Sequence, residues 1–184
     1  MTSRPSDRIR VRRNPKKGRY ERERIASILD RGLVAHVAFV DRGQPVCRTA
    51  TVLDGLVLAR SAFEHSANYE SVIAFGSFRE IDGDDERLSA LAAFTDKVLP
   101  RRWNEVRQPN AKELKAATVL TFAIDEASAK VRSGPPDDDG TEDAELDVWA
   151  GELPLAQGFL APVASPGLRP GIPLPASLQR LAQR

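Results

Sequence analysis

The chain has 184 residues, 41% apolar and 29% charged, a balance that suits one globular domain with a tail and excludes a disordered chain. Its 27 basic and 26 acidic residues leave a net charge of +1, which argues against a whole-protein field for nucleic acid or a membrane surface. The single cysteine, Cys47, forbids an internal disulfide and fits a cytoplasmic location; no apolar run approaches the roughly 18 residues of a membrane span, and the basic N-terminus lacks the apolar core of a secretory signal.

Charge is unevenly placed. Residues 1–24 hold ten Arg and Lys against Asp7, Glu21 and Glu23, and residues 137–147 hold seven acids and no base. Both segments read as solvated faces that soften each other's field. No aromatic residue interleaves with the basic charges before Tyr20, so nucleic-acid contact is not expected.

Ile25, Ile28 and Leu29 recur at helical spacing and predict a helix over 20–31 that ends at Gly32. Residues 33–40 (LVAHVAFV) read as a strand buried on both faces. Arg42-Gly43 reads as a turn, residues 46–52 as a second strand, and Asp54-Gly55 as the turn of a hairpin between TATVL and LVLA. A further strand is expected over 71–81. Leu88, Leu91, Ala92, Thr95, Val98 and Leu99 form one stripe and predict a helix over 84–99. Asn110 followed by Glu113 is a capping-box signature for a short helix. Strands are expected over 118–124, 127–132 and 148–155. Five prolines within 162–175 mark an extended tail. Strands outnumber helices and most connections are short, so an α+β fold with a small antiparallel barrel and flanking helices is the natural packing.

Three stretches carry a family resemblance: residues 10–45, residues 48–76 with LDGLVLARSAF and NYESV, and residues 101–155 with EASAKVRSGPP and VWAGELPL. Together they resemble the FMN-binding split β-barrel family, the pyridoxamine 5'-phosphate oxidase-like group that includes nitroimidazole-resistance-type proteins. The resemblance implies a homodimer with FMN in a cleft between subunits. It divides the chain into a basic arm over 1–18, a split-barrel domain over 19–155 and a Pro-rich tail over 156–184. One departure is plain: Gln44-Pro45-Val46-Cys47 runs almost directly into Arg48-Thr49-Ala50-Thr51, where the family pattern inserts a hairpin and a helix, roughly 30 residues. The barrel is therefore expected to be shortened, and the Gly-Ser and Ser-Arg elements that resemble a phosphate site are absent.

By resemblance, Asn68, Tyr69 and Ser71 of NYESV line the flavin edge, and hydroxyls two residues apart face the same side of a strand. His65 is the candidate proton donor, otherwise a loop histidine at the barrel rim. Arg60 and Ser61 close the LVLA strand, with Arg60 either a phosphate ligand or the partner of a nearby acid. Lys130 faces the cleft together with Arg132, and Trp149 resembles a tryptophan that packs near flavin, or else a core-edge aromatic. His36 reads as a buried structural histidine, Trp103 as an anchor between two helices, and Cys47 as no nucleophile. No metal-ligand spacing and no Gly-rich phosphate loop is visible. The expected function is an FMN-dependent oxidoreductase, nitroreductase-like or oxidase-like. The alternatives are a non-catalytic module holding flavin, or a related nucleotide such as deazaflavin, and a dimeric scaffold that has lost its ligand. The substrate is left open.

Overall fold

The computed structural model describes residues 5–38, 46–138 and 140–182. The Arg42-Gly43 turn and the end of the LVAHVAFV segment lie outside the described residues. Among the described residues six strands form one antiparallel sheet: β1 (Gly18–Arg19), β2 (Ala35–Ala38), β3 (Val46–Leu58), β4 (Ser66–Glu80), β5 (Leu120–Arg132) and β6 (Gly151–Pro154). Their order is β1-β5-β4-β3-β2, with β6 also paired to β3. Four α-helices accompany them: α1 (Arg22–Arg31), α2 (Asp84–Val98), α3 (Ala111–Ala116) and α4 (Ala176–Ala182). The chain divides into two compact units, residues 1–78 with 122–156, and residues 79–121 with 157–184.

The first unit is built on one face of the sheet. Ile25 and Ile28 of α1 pack with Val72, Ala74 and Ala129, and Leu29 and Phe122 close in around them. Ile28 and Val72 are fully buried, each contributing about 1.5–3 kcal/mol relative to exposure. Glu70, on the same face, is gripped from α1 by Arg24 (2.9 Å) and by Arg31, seven residues on. The helix is thus pinned by apolar packing and by ion pairs two turns apart.

Asp54-Gly55 does not turn the chain. β3 continues straight through it, and the β4 register shifts from Leu53↔Tyr69 to Gly55↔Asn68, leaving Asp54 as the extra residue of a bulge. The hairpin expectation fails because the flanking apolar runs pair with different neighbours along one edge: Cys47 to Ala50 with β2, and Gly55 to Leu58 with β6. Gly55 is needed there, since a Cβ would lie 2.8 Å from the Leu153 carbonyl oxygen. The bulge is where that edge splits.

The two strands expected over 118–124 and 127–132 are one strand, β5, and β4 begins at Ser66, five residues before the expected start. β2 is not buried on both faces. It is the sheet's edge strand, and Leu33 and Val34 just before it are each 67% exposed. His36 is exposed as well. Among the described residues, 33–38 of this apolar run are exposed or half-buried, so this part of it marks a surface and not a core.

In the second unit, α3 carries the expected capping box: Asn110 Oδ1 accepts from the backbone N–H groups of Lys112 and Glu113, each at 3.0 Å, while Glu113 accepts from the Asn110 N–H at 2.9 Å. Trp103 sits in the 3-10 turn between α2 and α3, its N–H donating to Asp96 at 2.9 Å. Residues 162–175 hold no helix or strand, as the prolines imply. The helix α4 beyond them was not legible in the sequence; its Ser177 is buried and donates from backbone (2.9 Å) and hydroxyl (2.5 Å) to Glu105. That pairing holds the Glu105 carboxyl below its ordinary range.

Candidate functional site

The face of the sheet opposite α1 carries a groove of about 420 Å³. Its floor is polar. Thr49 and Thr51 on β3 lie beside Ile73 and Ser71 on β4, and the Thr51 and Ser71 hydroxyls are 3.0 Å apart. Tyr69 is two residues before Ser71 on the same face, and Ser128 and Lys130 of β5 complete the floor. The wall is formed by residues 8–13 of the basic arm.

That arm is fastened by side chains at several points. The Ser6 hydroxyl donates to Glu126 at 3.0 Å, and the Val11 N–H donates to the Tyr20 hydroxyl at 3.0 Å. The Arg8 guanidinium lies 4.2 Å from the centre of the Phe75 ring, a cation–π contact. The segment is therefore not the freely solvated charged face that its composition implies. Within it the chain turns at residues 7–9, where the Arg10 N–H donates to the Ser6 carbonyl at 3.1 Å, and Ile9 and Val11 are half-buried while Arg8, Arg10 and Arg12 are exposed.

Three sequence-derived candidates meet in this groove: Tyr69, Ser71 and Lys130. The others lie elsewhere in the same unit. Arg60 is committed to Asp138, through its backbone N–H at 2.8 Å and its guanidinium at 3.0 Å. Asp138 is 0% exposed, so this part of the acidic stretch is interior and not solvated. Asn68 is buried; it accepts from Arg132 and donates to the Gly134 carbonyl (3.2 Å) and to Glu152 (2.5 Å). Arg132, expected to face the cleft beside Lys130, is itself buried and donates to the carbonyls of Gly134 (2.8 Å) and Pro135 (3.0 Å). Together they fix the turn that follows β5.

Ser61 caps the 3-10 turn Ala62–Glu64 by accepting from the Phe63 N–H at 3.3 Å. His65 ends that turn. Its Nδ1 lies 2.9 Å from the Ser61 carbonyl oxygen, which can only accept, so Nδ1 is the donor of this bond and Nε2 is turned to the other side of the ring. Phe63, two residues away, is 89% exposed. Trp149 is 67% exposed and its ring crosses Gly151, where a Cβ would be 3.0 Å from the indole. Among the described residues no group of three or more His, Cys, Asp or Glu could hold a metal ion, and no helix is long and apolar enough to cross a membrane.

A polar, cation-walled groove on one face of a split antiparallel sheet, with a helix packed on the other, defines a split-barrel ligand-binding protein. Residues 40–131 match the family model described as pyridoxamine 5'-phosphate oxidase, half of the chain, and the protein belongs to that flavin-binding family. Two solved structures are similar over nearly their whole length. The flavocytochrome Anf3 from Azotobacter vinelandii is 32% identical, with 96% of this chain and 97% of that one covered and a TM-score of 0.87. The FAD and heme binding protein from Mycobacterium smegmatis is 33% identical, with 90% and 97% covered and a TM-score of 0.82. No curated protein matches the chain.

Proposed function

We propose that this chain is a redox protein that holds a flavin nucleotide in the groove opposite α1. The observation that carries this reading is the convergence of Tyr69, Ser71 and Lys130, with Thr49, on one groove of about 420 Å³. The donor set fits the ligand. Hydroxyls at one end suit the hydrogen-bonding pyrimidine edge of a flavin, and cations along the wall suit its phosphate. The volume lies within the range usual for cofactor pockets. When bound, flavin supplies hydride or single-electron transfer; the chain's part is to hold and orient it, with Tyr69 and Ser71 on one strand face and Ser71 fixed by Thr51. FMN is the flavin expected from the sequence, whereas the Mycobacterium smegmatis neighbour is described as binding FAD. The reading includes a homodimer that completes the groove, and a reducing cytoplasm in keeping with the single cysteine.

A second reading adds haem. Both neighbours are described in terms of haem or cytochrome as well as flavin. In this chain the supporting observation is His65: its Nδ1–H is engaged by the Ser61 carbonyl, as in metal-ligating histidines, Nε2 has no partner among the described residues, and the apolar Phe63 lies exposed two residues away. The expectation of no metal was drawn from the lack of ligand clusters, and a haem iron needs no cluster.

The test is to purify the full chain and record its visible spectrum alone, then with FMN, FAD and haemin. A bound-flavin band with quenched fluorescence is expected with FMN or FAD. Turnover of nitro-compounds or pyridoxamine phosphate would then separate an oxidoreductase from a carrier. A folded, colourless dimer that takes up none of the three would overturn both readings. A haem spectrum that survives His65→Ala unchanged would remove His65 as a ligand.

A further inference from the structure

We propose that residues 8–13 of the N-terminal arm, with Lys130, form the phosphate clamp of the groove. The inference rests on the flavin reading above and names the groups that would hold the ligand's charged end. Of the arm's cations, Arg8 is taken up by the Phe75 ring and Arg10 pairs with Asp7 at 3.1 Å. Arg12, Arg13 and Lys130 line the same groove, and none has an ion-pair or hydrogen-bond partner among the described residues.

Three like charges brought to one concavity repel one another, and that repulsion is relieved by an anion bound between them. The arm is not a loose tail that happens to fall there, because Ser6, Arg8 and Val11 fasten it to Glu126, Phe75 and Tyr20. Ser128 and Thr49 add hydroxyl donors beside the cations. Two guanidinium forks, one ammonium and hydroxyls make a donor set for a phosphate ester, either the monoester of FMN or the diphosphate of FAD.

The experiment titrates the full chain, freed of any copurified flavin, with riboflavin, FMN and FAD, following fluorescence quenching. Wild type is compared with the double variant Arg12→Ala/Arg13→Ala and with Lys130→Gln, and thermal melting checks that each variant folds. FMN or FAD is expected to bind far more tightly than riboflavin, which lacks the phosphate. The double variant is expected to lose about a hundredfold in affinity for the phosphorylated flavin, the loss of two charge-assisted contacts, while riboflavin binding stays as it was. Lys130→Arg should restore most of what Lys130→Gln loses. Equal weakening toward all three flavins would make the arm a structural wall and overturn the clamp, as would unchanged affinities.

If wild type binds none of the three, the flavin reading fails first, and calorimetry with inorganic pyrophosphate decides the clamp. Binding that disappears in the double variant supports it, and no binding ends it.

Discussion

Arg60 meets Asp138 twice, by its backbone N–H at 2.8 Å and by its guanidinium at 3.0 Å, and Asp138 has no exposure to solvent. The pair ties the end of β3 to the loop 78 residues later, where the acidic stretch begins. Removing the guanidinium leaves a carboxylate inside the protein with, among the described residues, the Arg60 N–H as its donor, the costly half of breaking a buried pair, about 3–5 kcal/mol. Arg60→Ala is therefore expected to lower Tm by about 10 °C, given roughly 2–4 °C per kcal/mol at this size. Asp138→Asn should cost less, since the amide oxygen still accepts. If Arg60→Ala instead melts like wild type and only weakens flavin binding, Arg60 is a ligand and its ion pair is incidental.

Gly76 of β4 lies against β5 so closely that a Cβ would fall 1.8 Å from the carbonyl oxygen of Ala123. No rotamer can relieve this, because the obstacle is backbone, so β4 and β5 must separate at that point. Gly76→Ala is expected to destabilise by about 3 kcal/mol or more, at the upper end of overpacking effects. Gly158→Ala serves as the control, since nothing lies within 4 Å of the Cβ position there. Denaturant midpoints of the two variants within error of each other would refute the close approach.

What the sequence revealed follows from the range of the interactions involved. The Asn110–Glu113 box and the Ile25/Ile28 stripe were legible because each is decided within one helical turn. Asp54-Gly55 carried the local chemistry of a turn and became a bulge, because the fate of β3 depends on β6, almost a hundred residues downstream. His36 was misjudged for a similar reason: an unbroken apolar run says that a strand will be covered, not what covers it. At the candidate site, Tyr69, Ser71 and Lys130 are reached through family resemblance, whereas Asn68 is taken up by Arg132, Gly134 and Glu152, partners 64 to 84 residues away that no local pattern announces. The arm is not legible as a groove wall, because a run of basic residues has the same composition whether it is solvated or fastened by Glu126, Phe75 and Tyr20.

Glu113 is held by a bidentate Arg107 (2.8 and 2.9 Å) and by the Asn110 N–H, and its pKa is drawn down from 4.5 to about 2, chiefly by Arg107. A carboxylate depressed in the folded state stabilises it above the unfolded pKa and loses that contribution as pH falls through the folded one. The contribution is thus intact above pH 4.5 and fades toward pH 2. A carboxyl NMR titration should place the Glu113 midpoint near 2, and Arg107→Gln should return it toward 4.5. A midpoint already near 4.5 in wild type would mean that the fork does not persist in solution.

Leu53 and Ile73 face the same side as the groove floor, and both remain more than a third exposed, at 38% and 37%. With Leu33 and Val34 bare before the edge strand, the unit presents apolar side chains around a polar cleft, the pattern of a surface that meets a partner. If that partner is a second copy, Leu33→Asp with Val34→Asp should convert a wild-type dimer to a monomer in sedimentation velocity with little loss of helical signal, because both side chains are exposed and neither lines the groove. Flavin affinity in the same variant then decides whether the groove is complete in one chain: loss of binding together with the dimer puts the ligand at the interface, and retention puts it within the protomer. A wild type that sediments as a monomer and still binds flavin fully would refute the homodimer, and the bare apolar residues would then have to be explained by a different protein partner.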